Sequence, residues 1–249
     1  MEKPILLITG GGRGIGAATA KLAAQQGYRV VLNYRLDKAS AQAALEEIKH
    51  LGGQAHSIQA DICDADQVST MFEHILKNWG PVSALVNNAG ILETQNTFAQ
   101  TDLNRWQRVF NTNVFGTFSC CQAAFKHMAL SQGGKGGSIV NVSSLAAISG
   151  SPNEYVDYAA SKAAVDTFSR GFAKEVADDG IRVNVVRPGF IHTDMHKDGG
   201  EAGRVDRLAP SIPMKRGGQP EEVAEAILWL LSDKASYTSG GFIDVAGGR

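Results

Sequence analysis

Short apolar runs bounded by turn residues recur along the chain, separated by amphipathic stretches. The runs ILLIT (5–9), RVVLNY (29–34), AHSIQAD (55–61), ALVNNA (84–89), SIVNVSS (138–144) and IRVNVVRPG (181–189) have the length of buried strands. Between them, helical periodicity covers Ile15 to Gln26, Ser40 to Leu51, Val68 to Trp79, Leu103 to Leu130 and Tyr158 to Asp178. In the second of these, Ala41, Ala44, Leu45 and Ile48 share one stripe. Strands alternating with helices call for a parallel sheet covered on both faces, an α/β doubly wound Rossmann arrangement. EEVAEAILWLLS and GFIDVA add a last helix and a seventh strand. The 249 residues carry no Pro/Ser-rich or charge-dense divider, so 1–249 is expected to form one domain. The segment between Gly189 and Pro220 is rich in Gly, His, Asp, Lys and Arg. Because it follows the carboxyl end of a strand, residues 190–215 are expected to form a substrate lid, an ordinary surface loop being the other reading.

Charge narrows the partners. With 24 basic against 25 acidic residues the formal net charge is -1, which gives no field for nucleic acid or an anionic membrane and suits a small neutral partner. The start MEKPILLITG runs directly into an apolar strand and then glycines, so neither secretion nor membrane insertion is expected. Cys63, Cys120 and Cys121 have no metal-ligand spacing; no metal site is expected, and the thiols fit core filler in a reducing cytoplasm.

Thr9-Gly-Gly-Gly-Arg-Gly-Ile-Gly16 follows the first strand and opens the first helix. In that context Gly10 suits a turn other residues resist, Gly14 lets a pyrophosphate approach the backbone, and Gly16 permits close packing of the helix. A P-loop hydrolase is excluded, because Ile15-Gly16 stands where a phosphate-binding Lys-Ser/Thr is required. Asn87, Asn88 and Gly90, just past the fourth strand, can bond a neighbouring strand or the adenosine half of a dinucleotide. Asp61 can accept from an adenine amine or cap a helix. At the end of the second strand the chain reads Asn33, Tyr34, Arg35, with no carboxylate before Asp37, so a 2'-phosphate held by Arg35 and Arg13 is favoured: NADP, with NAD possible if Asp37 turns inward.

Tyr158 and Lys162 lie four apart in YAASK, on one face of a helix, which suggests an acid/base tyrosine. An ammonium about 4 Å from the phenolate would contribute roughly 4 kcal/mol at an effective dielectric of about 20, enough to bring the phenol toward neutrality. Ser144, or its neighbour Ser143, can polarise a carbonyl oxygen. Asn113, a polar amide in the helical stretch TNVFGTF, needs buried partners; a local helix distortion holding a water between Asn113 and Lys162 would supply them.

These motifs together resemble the short-chain dehydrogenase/reductase family from end to end. TGGGRGIG matches its TGxxxGxG loop, NNAG its fourth-strand motif, and Asn113, Ser144, Tyr158 and Lys162 its catalytic tetrad. Carried over residue by residue, the resemblance implies a dinucleotide held by Thr9, Gly10, Arg13, Gly14, Ile15 and Gly16, by Tyr34 and Arg35, and by Asp61 and Ile62. Asn88, Ala89 and Gly90, then Tyr158 and Lys162, then Pro188, Gly189, Ile191 and Thr193 complete it. It further implies a homotetramer, to which Phe110, Val114, Phe115, Phe118 and Phe125 of the long helical stretch add local support, and transfer of hydride between nicotinamide and a carbonyl or alcohol. The chain is most similar to bacterial members of the 3-oxoacyl-carrier-protein reductase or glucose 1-dehydrogenase kind. The rival readings are an NAD-dependent sugar dehydrogenase and a non-catalytic nucleotide-binding regulator. One departure stands out: Ser144 and Tyr158 are 14 positions apart where the family commonly has 13, so the loop bearing Glu154 and Tyr155 carries an insertion.

Overall fold

The computed structural model describes residues 3–249, leaving Met1 and Glu2, and any reading of the chain's first residues that rests on them, outside it. Seven strands form one all-parallel sheet in the order β3-β2-β1-β4-β5-β6-β7. They are β1 (Ile5–Thr9), β2 (Arg29–Tyr34), β3 (Gln54–Gln59), β4 (Ala84–Asn87), β5 (Gly137–Val142), β6 (Ile181–Pro188) and β7 (Phe242–Val245). The helices are α1 (Gly14–Gln25), α2 (Lys38–His50), α3 (Ala65–Trp79), α4 (Leu103–Phe110), α5 (Gly116–Met128), α6 (Ala146–Ser149), α7 (Val156–Glu175), α8 (Met195–Asp198), α9 (Arg204–Leu208) and α10 (Pro220–Leu231). The sequence pattern and the structure agree on every strand, differing by a residue or two at the ends, where residues such as Ala60-Asp61 and Ser143-Ser144 leave the ladder to form loops.

Two apolar layers sandwich the sheet. On one face Leu7, Val31, Leu85, Ile139 and Val183 pack against Phe72, Ile75 and Met128; on the other Leu6, Ile8, Val30, Val86 and Val140 pack against α1 and α10. Burial on both faces explains why these strands read as unbroken apolar runs. Alternate residues of β1 serve opposite layers, so a one-residue slip against β4 would exchange the two sets.

The long helical stretch from Leu103 to Leu130 has a local distortion at Asn113, as its polar amide suggested: α4 and α5 are joined by a π-helical turn at Asn111–Phe115. Two expectations change. Cys63 is exposed, and only Cys120 and Cys121 are buried as core filler, their thiols raised by that burial, Cys121 to about 12. No Cys63 core role follows from a position in the turn after β3. The residues after β6 are also less loop-like than their composition suggests, containing α8 and α9 and burying Arg204 and Val205. Among the described residues no helix is long and apolar enough to cross a membrane, and no group of His, Cys, Asp and Glu could hold a metal ion.

Candidate active site

The strand order reverses direction between β1 and β4, and the crevice beyond the carboxyl ends of a parallel sheet opens at such a point. Here it is a groove of about 400 Å³ lined by Gly10, Arg13, Gly14 and Ile15 from the first loop, Tyr34 and Arg35 after β2, Asp61 and Ile62 after β3, and Asn88, Ala89 and Gly90 after β4. The glycine loop is closely packed, with backbone conformations that need glycine. Gly10 and Gly14 have φ of +61° and +53°, and a Cβ on Gly16 would lie 2.4 Å from the Gly10 carbonyl oxygen. Gly16 therefore packs against its own loop and Asn88 Nδ2 rather than against the sheet as expected. Thr9 fastens the wall: its hydroxyl accepts from the Asn88 and Ala89 amides, both at 3.1 Å. Asn88 Nδ2 donates to the Thr9 and Gly10 carbonyls, and Asn87 donates to Asn141 at 2.8 Å, so both asparagine side chains bond neighbouring chain.

Two arginines, Arg13 and Arg35, line the groove. Arg35 lies 3.7 Å from Asp61, whose other oxygen accepts from the Cys63 amide, and Arg13 pairs with Asp198 at 2.5 Å. Asp37 caps α2 through Ser40, which holds its carboxyl below the usual range. That engagement leaves no uncommitted acid at the end of β2.

A second cavity, of about 130 Å³, adjoins the groove: Ile15, Asn88, Thr193 and Met195 line both. Ser144, Tyr158, Lys162, Pro188, Gly189 and Ile191 also face it. Ser144, just past β5, accepts from the Ala146 amide at 3.1 Å and faces the same cavity as the Tyr158 phenol. Ser143 is committed elsewhere, donating to the Lys162 carbonyl at 3.2 Å, which leaves Ser144 as the hydroxyl beside the phenol. Lys162 is buried, donates to the Val142 carbonyl at 2.8 Å, and sits 5.7 Å from the Tyr158 ring centre. Desolvation lowers its pKa to about 8, opposed by Asp166 one turn along α7. Burial pushes the Tyr158 phenol up to about 12, with Ser144 pulling the other way. The expected lowering of Tyr158 by Lys162 is thus not met in the protein alone, because the ammonium lies over the ring and is bonded to Val142.

The π-helical turn places Asn113 fully inside, a helix distortion of the kind its buried amide calls for. Its Oδ1 accepts from the Ile91 amide at 2.8 Å, and its Nδ2 donates to the Ile91 carbonyl and to Ser161 Oγ at 3.1 and 3.0 Å. Protein groups therefore satisfy Asn113 directly. A Cβ on Gly90 would meet both Asn113 Oδ1 and Lys162 Nζ, at 3.3 and 3.4 Å, so these two groups face one small space over the glycine. The loop between Ser144 and Tyr158 carries backbone strain: Ser151 and Asn153 have φ of +44° and +65°, at a cost of about 1–3 kcal/mol each. It presents Glu154 and Tyr155 to Arg204, a residue that sequence reasoning passed over as part of a polar segment.

A sequence profile of the enoyl-(acyl carrier protein) reductase family matches residues 10–249. An uncharacterized oxidoreductase of Escherichia coli, YgfF, is 59% identical over 245 residues, covering 98% of this chain and 99% of its own. The 3-oxoacyl-[acyl-carrier-protein] reductase of Synechocystis is 41% identical over 246 residues (98% and 96%), and FabG of Staphylococcus aureus, with the same description, 39% over 242 (97% and 96%). The chain belongs to the short-chain dehydrogenase/reductase family. It is an oxidoreductase, and membership of this family implies a nicotinamide cofactor. The groove fits one: its glycine loop is built for close backbone approach, and its far end opens into the cavity that holds Tyr158.

Proposed function

We propose that the protein is an NADP(H)-dependent oxidoreductase acting on a carbonyl or alcohol carbon, with Tyr158 exchanging the proton. The observation that carries this reading is the continuity of the groove with a cavity into which Ser144, Tyr158 and Lys162 project. When bound, the cofactor supplies a hydride or takes one up. The chain supplies the rest. Ser144 holds the substrate oxygen; Tyr158 donates its proton to that oxygen in reduction and recovers the alcohol proton in oxidation. Lys162 bonds the ribose and, once its hold on Val142 is shared with a ligand, stabilises the phenolate. Asn113, satisfied by Ile91 and Ser161, anchors the floor beside Lys162, and its Oδ1, facing the same space as the Lys162 ammonium over Gly90, is placed to accept from a water that restores the proton.

Arg35 and Arg13 support a preference for a 2'-phosphate, since Asp37 is engaged as a helix cap. The NAD-dependent sugar reading has no carboxylate at the end of β2 to support it. We further propose that residues 190–215 act as a lid over one 1–249 domain, and that the protein is a homotetramer. A half-buried apolar strip lined by Phe118, Phe125, Phe168 and Phe172 supports the assembly. Steady-state assays of ketones, aldoses and 3-oxoacyl thioesters with NADPH and NADH test the reading: a kcat/KM advantage with NADPH on a carbonyl substrate is expected, and turnover only with NADH, or none, would overturn it.

A further inference from the structure

The cavity beside Tyr158 carries an asymmetry of charge that the reaction chemistry does not use. Arg204, Arg249, His196 and Lys162 line it; among the described residues no Asp or Glu does. Arg204 is 3% exposed, its guanidinium carbon lying 4.8 and 5.3 Å from the Tyr155 and Phe190 ring centres. One edge is fastened, Nη2 donating to Glu154 at 2.5 Å, and Glu154 is shared with Arg207 at 3.8 Å. Nη1 is buried without a hydrogen-bond partner. His196 Nδ1, on the same cavity, is likewise buried and unpartnered. Arg249 stacks on the exposed side of the arrangement, 4.7 Å from the Phe190 ring.

A buried charged donor left unbonded is costly, and arrangements of this kind persist where a ligand supplies the missing acceptor. The two rings and the Glu154 ion pair restrain the guanidinium, so the unpartnered Nη1 is held ready for a charged acceptor such as a carboxylate. We propose that the substrate of this oxidoreductase carries a carboxylate, received by the free edge of Arg204 with Arg249 at the mouth, so that the enzyme acts on short oxo acids and their hydroxy acids. The inference rests on the dehydrogenase reading above and narrows it to a substrate class. The small cavity agrees, having about 130 Å³ against about 400 Å³ for the nucleotide groove. The near-neutral whole chain had pointed to a neutral partner, but net charge averages over the surface, whereas the cavity excludes the acidic residues that balance it. The inserted loop takes part, since Glu154 and Tyr155 orient Arg204 toward the site.

The test compares each member of a series of short straight-chain oxo acids with its methyl ester, at saturating NADPH and again at saturating NADH. At least one acid is expected to exceed its ester about tenfold or more in kcat/KM. In Arg204→Gln that ratio should fall about 10- to 100-fold, with Arg204→Lys restoring part of it and Arg249→Gln lowering it less. Esters turned over as well as acids throughout would overturn the proposal while leaving the dehydrogenase reading intact. So would an Arg204→Gln enzyme in which both rates drop together and the ratio holds, the signature of a purely structural arginine. Calorimetric titration of the unsubstituted, NADP⁺-saturated protein with an oxo acid and with its methyl ester, pairs that cannot exchange hydride, decides the matter independently of turnover or of variant folding. Tighter binding of the acid is expected, and equal affinities would refute it.

Discussion

Lys162 has an expected effect on stability opposite to its effect on function. Its ammonium is 4% exposed, has the Val142 carbonyl as its hydrogen-bond partner, and has a pKa lowered by desolvation from 10.5 to about 8. A lysine whose pKa is depressed by folding costs stability at every pH where it must enter the core charged, and the cost disappears once both folded and unfolded forms are neutral. From pKa values of 10.5 unfolded and about 8 folded, the penalty is about 3 kcal/mol at pH 7 and about 1.4 kcal/mol at pH 9.5. Replacing Lys162 by Met keeps the length and removes the charge, at the expense of leaving the Val142 carbonyl unbonded, about 1–3 kcal/mol. That loss is the same at both pH values. The ligand-free Lys162→Met protein should therefore gain about 2 kcal/mol less, relative to the parent, at pH 9.5 than at pH 7. At about 2–4 °C per kcal/mol for a chain of this size, the difference is several degrees in Tm. Tyr158 adds little to the comparison, because its folded pKa is raised to about 12 and its partial ionisation in the unfolded chain at pH 9.5 is common to both proteins. Urea titrations of both proteins at the two pH values provide the measurement. A stability difference that does not change with pH would show that Lys162 is not desolvated as described.

Arg35→Ala should weaken NADPH binding about tenfold or more, one charge-assisted bond at a half-exposed site, while changing NADH binding less than threefold; equal losses by fluorescence titration would refute the assignment. Amide exchange in residues 190–215 should slow when cofactor and product bind, since α8 and α9 are short and Arg13 reaches the segment through Asp198; unchanged protection would count against a lid. Sedimentation at micromolar concentration should give a tetramer, and a species of 26.4 kDa alone would remove that claim.

The strands and the glycine loop were legible because burial on both faces and positive backbone angles leave direct marks in residue type. Gly10, Gly14 and Gly16 could be named from spacing, and Asn113 could be suspected from polarity alone among Val114, Phe115 and Phe118. What composition does not encode is which of several donors is already engaged. Ser143 and Ser144 are equivalent in sequence, and the carbonyl of Lys162 separates them; Arg13 and Arg35 look free until Asp198 and Asp61 are seen. The burial of Arg204 was hidden for the same reason, since HKDGGEAGRVDR reads as solvated until Tyr155 and Phe190 close on the guanidinium from distant segments. The balance at Tyr158 was also beyond reach, because a four-residue spacing brings Lys162 to the same face without fixing where its ammonium bonds.

The central claim is that Tyr158 carries the proton. Tyr158→Phe keeps the ring in place beside Ser144 and removes only the hydroxyl. On the best substrate of the carbonyl panel, with the fold checked by circular dichroism, kcat should fall about 100- to 10,000-fold while the NADPH dissociation constant stays within a few-fold of the parent. A folded Tyr158→Phe enzyme retaining kcat within threefold of the parent, under conditions where chemistry limits the rate, would contradict the account.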